Sequence, residues 1–147
     1  MTQEEKDLLI KDLCARLSYG VKIELTWWVI DGGMYMNTTL EPDIIDQLLN
    51  DEYGNAEIKP YLFPLSSMSD EQKREFYKFF EEGITESANE TRQWLRTKRA
   101  DETRRPVTIA YIMVHKLVIE WLLKNHFDIN GLIPMGLAID ATGLNIY

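Results

Sequence analysis

Between Val107 and Lys124 the chain is mostly apolar and holds neither Gly nor Pro. No other stretch restricts the fold as strongly, because so much apolar surface has to be covered. Tyr111, Val114, Val118, Trp121 and Leu122 recur at three- and four-residue steps, which is one face of a helix. Ile112, Ile119 and Leu123 lie toward another side, so the apolar arc is wide and the helix is expected at the centre of a domain. Lys116, Glu120 and Lys124 mark a narrow wet edge and can pair weakly. Pro106 precedes the helix, where its fixed φ and missing N–H do no harm. A membrane span is excluded, since His115, Lys116, Glu120 and Lys124 interrupt the run and a bilayer needs about twenty largely uncharged residues.

Beyond the helix, Asn125–Asn130 has turn chemistry and Gly131 permits a left-handed backbone. Leu132 and Ile133 are expected to re-enter the core. Pro134 and Gly136 impose a second bend. Leu137 and Ile139 then alternate with Ala138 and Asp140, the pattern of a short strand.

Toward the N-terminus, Thr2 and Glu5 fit a capping box that opens a helix running to about Leu17. Leu8, Leu9, Leu13 and Leu17 form its inward stripe, with Lys11 and Asp12 outside. Cys14 reads as a small buried apolar residue. Gly20 ends the element. Val21, Ile23, Leu25, Trp27 and Val29 alternate with Lys22, Glu24, Thr26, Trp28 and Ile30, the clearest strand in the chain. Asp31-Gly32-Gly33 signals a hairpin and Met34–Leu40 the returning strand. Trp28 and Ile30, with Tyr35 or Asn37, share the second face; either a helix covers it or Trp28 stands in solvent as part of a contact patch.

Pro42–Leu49 reads as a short helix with Ile44, Ile45, Leu48 and Leu49 toward the sheet. Ala56–Leu62 reads as a third strand that Pro60 would confine to an edge. Ser69 and Gln72 form a second capping box before a helix carrying Phe76, Tyr77, Phe79 and Phe80, read as core, and Gly83 is a natural end for it. The segment at about 84–105 is far more polar and reads as a solvated helical arm that protrudes.

One domain spanning residues 1–147 is the expectation from length and from the 45% apolar share. The formal net charge is −8, which favours solubility and disfavours non-specific nucleic-acid or membrane binding. A single cysteine rules out an internal disulfide framework. The opening MTQEEKD is acidic and polar, unlike a signal peptide, so the cytoplasm is the expected location.

Charge is unevenly spread. Arg92, Arg96, Lys98, Arg99, Arg104 and Arg105 face only Asp101 and Glu102, so the arm is about +4, while Met1–Met68 is about −7. Trp94 lies within the arm, and basic residues beside an aromatic could touch phosphates and stack a base. The simpler reading is a solvated face balanced by the acidic half, which would itself repel nucleic acid. An acidic surface mimicking nucleic acid is a further alternative. The candidate binding residues are Trp28, Trp94, Arg96 and Arg99.

Catalytic motifs are few. His115 lies in the apolar helix and reads as a core side chain. His126 leaves that helix beside Asp128, and a His-x-Asp pair can bind metal or share a proton. One pair is not a site, and the competing reading has His126 capping the helix while Asp128 starts a turn. Ser66-Ser67 lacks a lipase-type glycine frame, and Gly32-Gly33 lacks the lysine of a phosphate loop. No cofactor is implied, and the balance leans away from an enzyme.

The segments IKPYLFPLSSMSDEQKREF (Ile58–Phe76) and WLLKNHFDINGLIPMGLAID (Trp121–Asp140), with DLCARLSYGVKIE near the start, resemble a family of small uncharacterised proteins from gut Bacteroidales and their phages or integrated elements. The resemblance covers the two ends and the KPYL segment, not Thr26–Asn55 or Gly83–Thr108. It carries over no functional residue, and it implies a bacterial, phage-related, cytoplasmic protein.

The expected fold is therefore α+β, a small antiparallel sheet packed against three main helices with the apolar helix central. The expected function is a non-catalytic interaction protein that contacts a protein partner or itself, with no membrane role. A small enzyme or metal-binding protein using His126 and Asp128 is the first alternative, and a nucleic-acid-related role is the second.

Overall fold

The computed structural model describes residues 1–29, 32–50, 57–97 and 104–147. Among these the chain forms four helices and a four-stranded mixed sheet, an α+β fold as the patterning predicts. It divides into two compact units, Met1–Ser67 with Leu123–Tyr147, and Met68–Leu122.

In the first unit, α1 (Gln3–Arg16) opens with the expected box. The Thr2 amide donates to Glu5 Oε2 at 2.6 Å and the Glu5 amide to Thr2 Oγ1 at 3.2 Å. A single 3₁₀ turn follows, and Gly20, at φ 65°, swings the chain into the sheet. Strands β1 (Lys22–Val29) and β2 (Gly32–Thr39) are joined by two residues, and after α2 (Pro42–Asn50) comes β3 (Glu57–Leu62). The last strand, β4 (Ile139–Asp140), lies beside β3, giving the order β2-β1-β3-β4. Ile23, Leu25, Ile58 and Leu62 point from one face of the sheet into a cluster with Leu9 and Leu13 of α1 and Ile44 and Ile45 of α2. Leu132, Leu137 and Ala138 join it from the C-terminal segment.

The sheet is not wholly antiparallel. β3 and β4 run parallel, pairing Tyr61 with Ile139 and Leu62 with Asp140. Parallel neighbours need a long crossover, and almost eighty residues of chain, including two helices, separate them. Pro60 does not confine β3 to an edge, because β3 lies between β1 and β4. Hydrogen-bonded and non-bonded pairs alternate along an antiparallel ladder. The Leu40 amide donates to the Val21 carbonyl at 2.9 Å, which makes the odd-numbered residues of β1 the ones bonded to β2 and the even-numbered ones those bonded to β3. Pro60 is opposite Ile23, a position where no amide toward β1 is needed.

Three side-chain expectations are also corrected. Leu49 is exposed, at the far side of a short helix that buries Ile44 and Ile45. Cys14 is exposed. Asp12 is buried rather than outside: Leu9, Asp12, Leu13 and Arg16 are the inward stripe of α1, at i, i+3, i+4 and i+7, and half of that stripe is charged.

The second unit is built on α3 (Asp70–Thr97) and α4 (Arg104–Lys124), whose last two residues belong to the first unit. The Ser69–Gln72 box is present, with bonds of 2.9 and 3.1 Å. Gly83 does not end α3. It is buried inside the helix, where a Cβ would come within 2.7 Å of Leu117 Cδ1 of α4, so close approach of the two helices accounts for it. Phe76 stacks on Phe80 and meets Trp121 edge-on at 5.1 Å, whereas Tyr77 is exposed. Pro106 falls in the first turn of α4, where its missing N–H has no intrahelical acceptor. The sheet core holds no residue of α4 among those described. Trp121 and Leu123 are buried, but Val114, Leu117, Val118 and Ile119 are only half-buried and His115 is exposed, because the wide apolar arc is shared with the aromatic face of α3.

Candidate functional site

Two features of the first unit have the chemistry or exposure to act, and their characters are opposite. One is a buried polar cluster. Arg16 and Asp12 are wholly enclosed and paired two-fold, Nε to Oδ2 at 2.6 Å and Nη2 to Oδ1 at 3.1 Å. Nη2 also donates to the Phe127 carbonyl at 2.8 Å, and Asn130 Nδ2 donates to Asp12 Oδ1 at 2.8 Å. The pair thereby ties α1 to the segment after α4.

That segment is held further by β-type bonds. The Phe63 amide donates to the His126 carbonyl at 2.9 Å and the Asp128 amide to the Phe63 carbonyl at 2.8 Å. The Asp128 carboxylate is buried and accepts the amides of Leu132 and Ile133, one on each oxygen, at 2.9 Å. This is the turn-forming use of an aspartate. His126 sits at φ 61°, the left-handed position that terminates α4, and its ring stacks on Tyr147 at 3.9 Å. Burial, and then the charge of Arg16, push the imidazole down to about 4. Its Nδ1 is buried without a hydrogen-bond partner among the described residues, so a proton there would meet a nearby cation and no acceptor.

Tyr147 completes the cluster. Though it is 44% exposed as a residue, its hydroxyl is held at both ends, donating to the Tyr61 carbonyl at 2.6 Å and accepting from the Lys22 amide at 3.1 Å. Lys22 and Tyr61 are the next partners in the β1–β3 register, and the phenol is inserted where their direct bond would be. Burial raises it to about 12. Tyr61 itself is buried, its hydroxyl 3.2 Å from Glu24 Oε2 and 3.0 Å from Asn37 Oδ1.

The second feature is the outer edge of β2, which has no strand beside it among the described residues. This strand is outermost in the sheet, and it carries the exposed apolar residues Met34 (63%), Tyr35 (68%) and Met36 (44%). The alternation fixed by Leu40 and Val21 assigns even-numbered residues of β2 to β1. Gly33, Tyr35, Asn37 and Thr39 therefore aim their amides and carbonyls outward. Gly32–Thr39 contains no charge and no proline, two of the devices that blunt an exposed edge.

Of the residues singled out from sequence, His126 and Asp128 lie close in the chain, and both carboxylate oxygens of Asp128 accept backbone amides, as in the turn-starting reading. Among the described residues no group of three or more His, Cys, Asp or Glu is placed to hold a metal. Trp28 lies in β1 opposite Gly33 and Trp94 and Arg96 lie in α3, but their side chains, like the whole of Arg99, fall outside the described residues. Lys98 and Asp101 do so as well. No family model, curated protein or solved structure matches the chain. The residues that sequence reasoning missed are Arg16, Asn130 and Tyr147 in the cluster; at the edge it named Tyr35 on a candidate contact face but did not join Met34, Tyr35 and Met36 into one exposed run. A signal for the last three was present, an uncharged run in a chain with 27% charged residues.

Proposed function

We propose that the protein is a non-catalytic interaction module that binds another polypeptide by accepting it as an added strand along β2. The observation that supports this most is the outer strand itself, eight residues long, uncharged and exposed at Met34, Tyr35 and Met36. Main-chain bonds to the outward groups would supply affinity, and side chains on either face would supply selectivity. The acidic balance and the sequence resemblance support a cytoplasmic setting in a bacterium and an origin in a phage or mobile element. Among the described residues no helix is long and apolar enough to cross a membrane. The metal or enzyme reading at His126 and Asp128 has less support, because the carboxylate is committed to the turn.

Selection of linear peptides from a random display library on the immobilised protein tests the reading. Peptides should be recovered, and they should lose binding to Tyr35→Pro, which removes one outward amide. Recovered peptides that bind the variant equally well would remove the edge from the account.

A further inference from the structure

Resting on that reading, we infer that the strand added to β2 is β2 of a second copy, paired antiparallel about a twofold axis through Tyr35 to form a continuous eight-stranded sheet. The argument begins with symmetry. In an isologous interface each residue meets a residue of the same patch, so any charge near the axis faces its own like. The β2 strand is uncharged on a chain of net charge −8, and it is one of the few stretches able to approach its own copy closely.

Register adds a second argument. A sheet that continues across a twofold axis keeps each face on one side, so odd residues of one copy meet odd residues of the other, and even meet even. Tyr35 is an outward-bonding residue, and an axis through it makes Tyr35 and its mate exchange both of their main-chain bonds. Gly33 then faces Asn37 of the second copy and Met34 faces Met36. The exposed apolar residues form a palindrome, Met34-Tyr35-Met36, and this register places every one of them against another. Two methionine–methionine contacts fall on the helix-bearing face and one tyrosine pair on the other. Cross-strand pairs of this kind stabilise a sheet, and methionine adapts to imperfect packing. A strand selected only for an unrelated partner has no need of such symmetry.

Sedimentation across a micromolar to millimolar range, with amide exchange followed by NMR, tests the inference. The wild type should dimerise, and the amides of Tyr35 and Asn37 should gain protection as concentration rises. Two variants should weaken the dimer about tenfold or more, near 1.4 kcal/mol: Tyr35→Lys, which sets two cations face to face on the axis, and Tyr35→Pro, which removes the central donor. Far-UV circular dichroism checks that both are folded, and either suffices if the other is not. A wild type that stays monomeric throughout overturns the dimer but leaves the strand-addition reading to the peptide selection. A dimer formed equally well by a folded variant overturns both.

Discussion

The two sides of this sheet are finished in opposite ways. At the β3–β4 side the last strand is only two residues long and is followed by a turn in which the Asp140 carboxylate accepts the Thr142 amide at 2.9 Å. Those bonds to Thr142 hold the Asp140 carboxyl below its usual range. Where β1 and β3 part, the Tyr147 hydroxyl bridges the two strands. At the other side β2 runs eight residues with no further strand beside it among the described residues. Edges invite pairing with other chains, and proteins generally shorten, charge or cover them. One edge here is shortened, covered and charged at its end, and the other has none of these. That contrast, more than the exposure of any single side chain, is what directs attention to β2.

The covered edge depends on Arg16, and removing it should have the largest effect. Arg16→Leu leaves Asp12 buried with Asn130 as its remaining partner and takes one donor from the Phe127 carbonyl. Breaking a buried pair in this way costs on the order of 3–5 kcal/mol. The double variant Asp12→Leu/Arg16→Leu should recover much of that loss in denaturant melts, because no unpaired charge remains. A single variant no worse than the double would mean that the pair does not anchor the segment.

Much of this arrangement could be read from sequence and some could not, for identifiable reasons. The two capping boxes and the β1 alternation are local, and each is visible within eight residues or fewer. Asp12 reads as outward in the sequence because its partner besides Arg16 is Asn130, and Arg16 is itself held by the Phe127 carbonyl, both more than a hundred residues away. A hydrophobic stripe drawn from leucines alone puts charged residues outside by default. Gly83 looks like a helix end in the sequence because its close neighbour, Leu117, lies on another helix. The rule that sends a proline to an edge strand holds for strands bonded along both sides; the amide side of Pro60 faces β4, which begins pairing only at Tyr61. The candidate site was the least legible part. The strand was foreseen, but nothing in a sequence says which strand lies outermost, and outermost placement is what leaves Tyr35 bare.

Acid should weaken the covered edge next. The folded-state value for His126 is about 4, against 6.5 for the free side chain. Between these values the unfolded chain binds a proton that the folded one does not. The contribution is therefore complete above about pH 6.5, declines as pH falls, and is lost by about pH 4. Allowing for partial solvent screening, the decline is on the order of 1–2 kcal/mol. His126→Asn, which keeps a residue tolerant of positive φ, should flatten the stability profile over that window. An unchanged slope would assign the acid sensitivity to other groups.

Tyr147→Phe is a smaller change at the same edge. The ring can still stack on His126, but the Lys22 amide and Tyr61 carbonyl lose the group between them. The expected loss is about 1 kcal/mol, with faster exchange of the Lys22 amide. Unaltered exchange there would show that water takes over the bridge without penalty.

The smallest effect is expected on the open side, and its position along the strand is the informative part. Tyr35 bonds outward and Met36 bonds to β1. Proline removes one amide wherever it is placed, and it is tolerated in a sheet where that amide faces away from the ladder. Tyr35→Pro, measured at concentrations where the chain is monomeric, should therefore change stability by less than about 1 kcal/mol. Met36→Pro, one residue along, removes a bond to Leu25 and should cost measurably more than Tyr35→Pro, because it leaves the Leu25 carbonyl without that donor. Adjacent prolines with opposite outcomes would fix which groups of β2 are free to bind. If both proved equally costly, the outward face of Tyr35 would already be in use within the monomer, and the two edges would not differ as described.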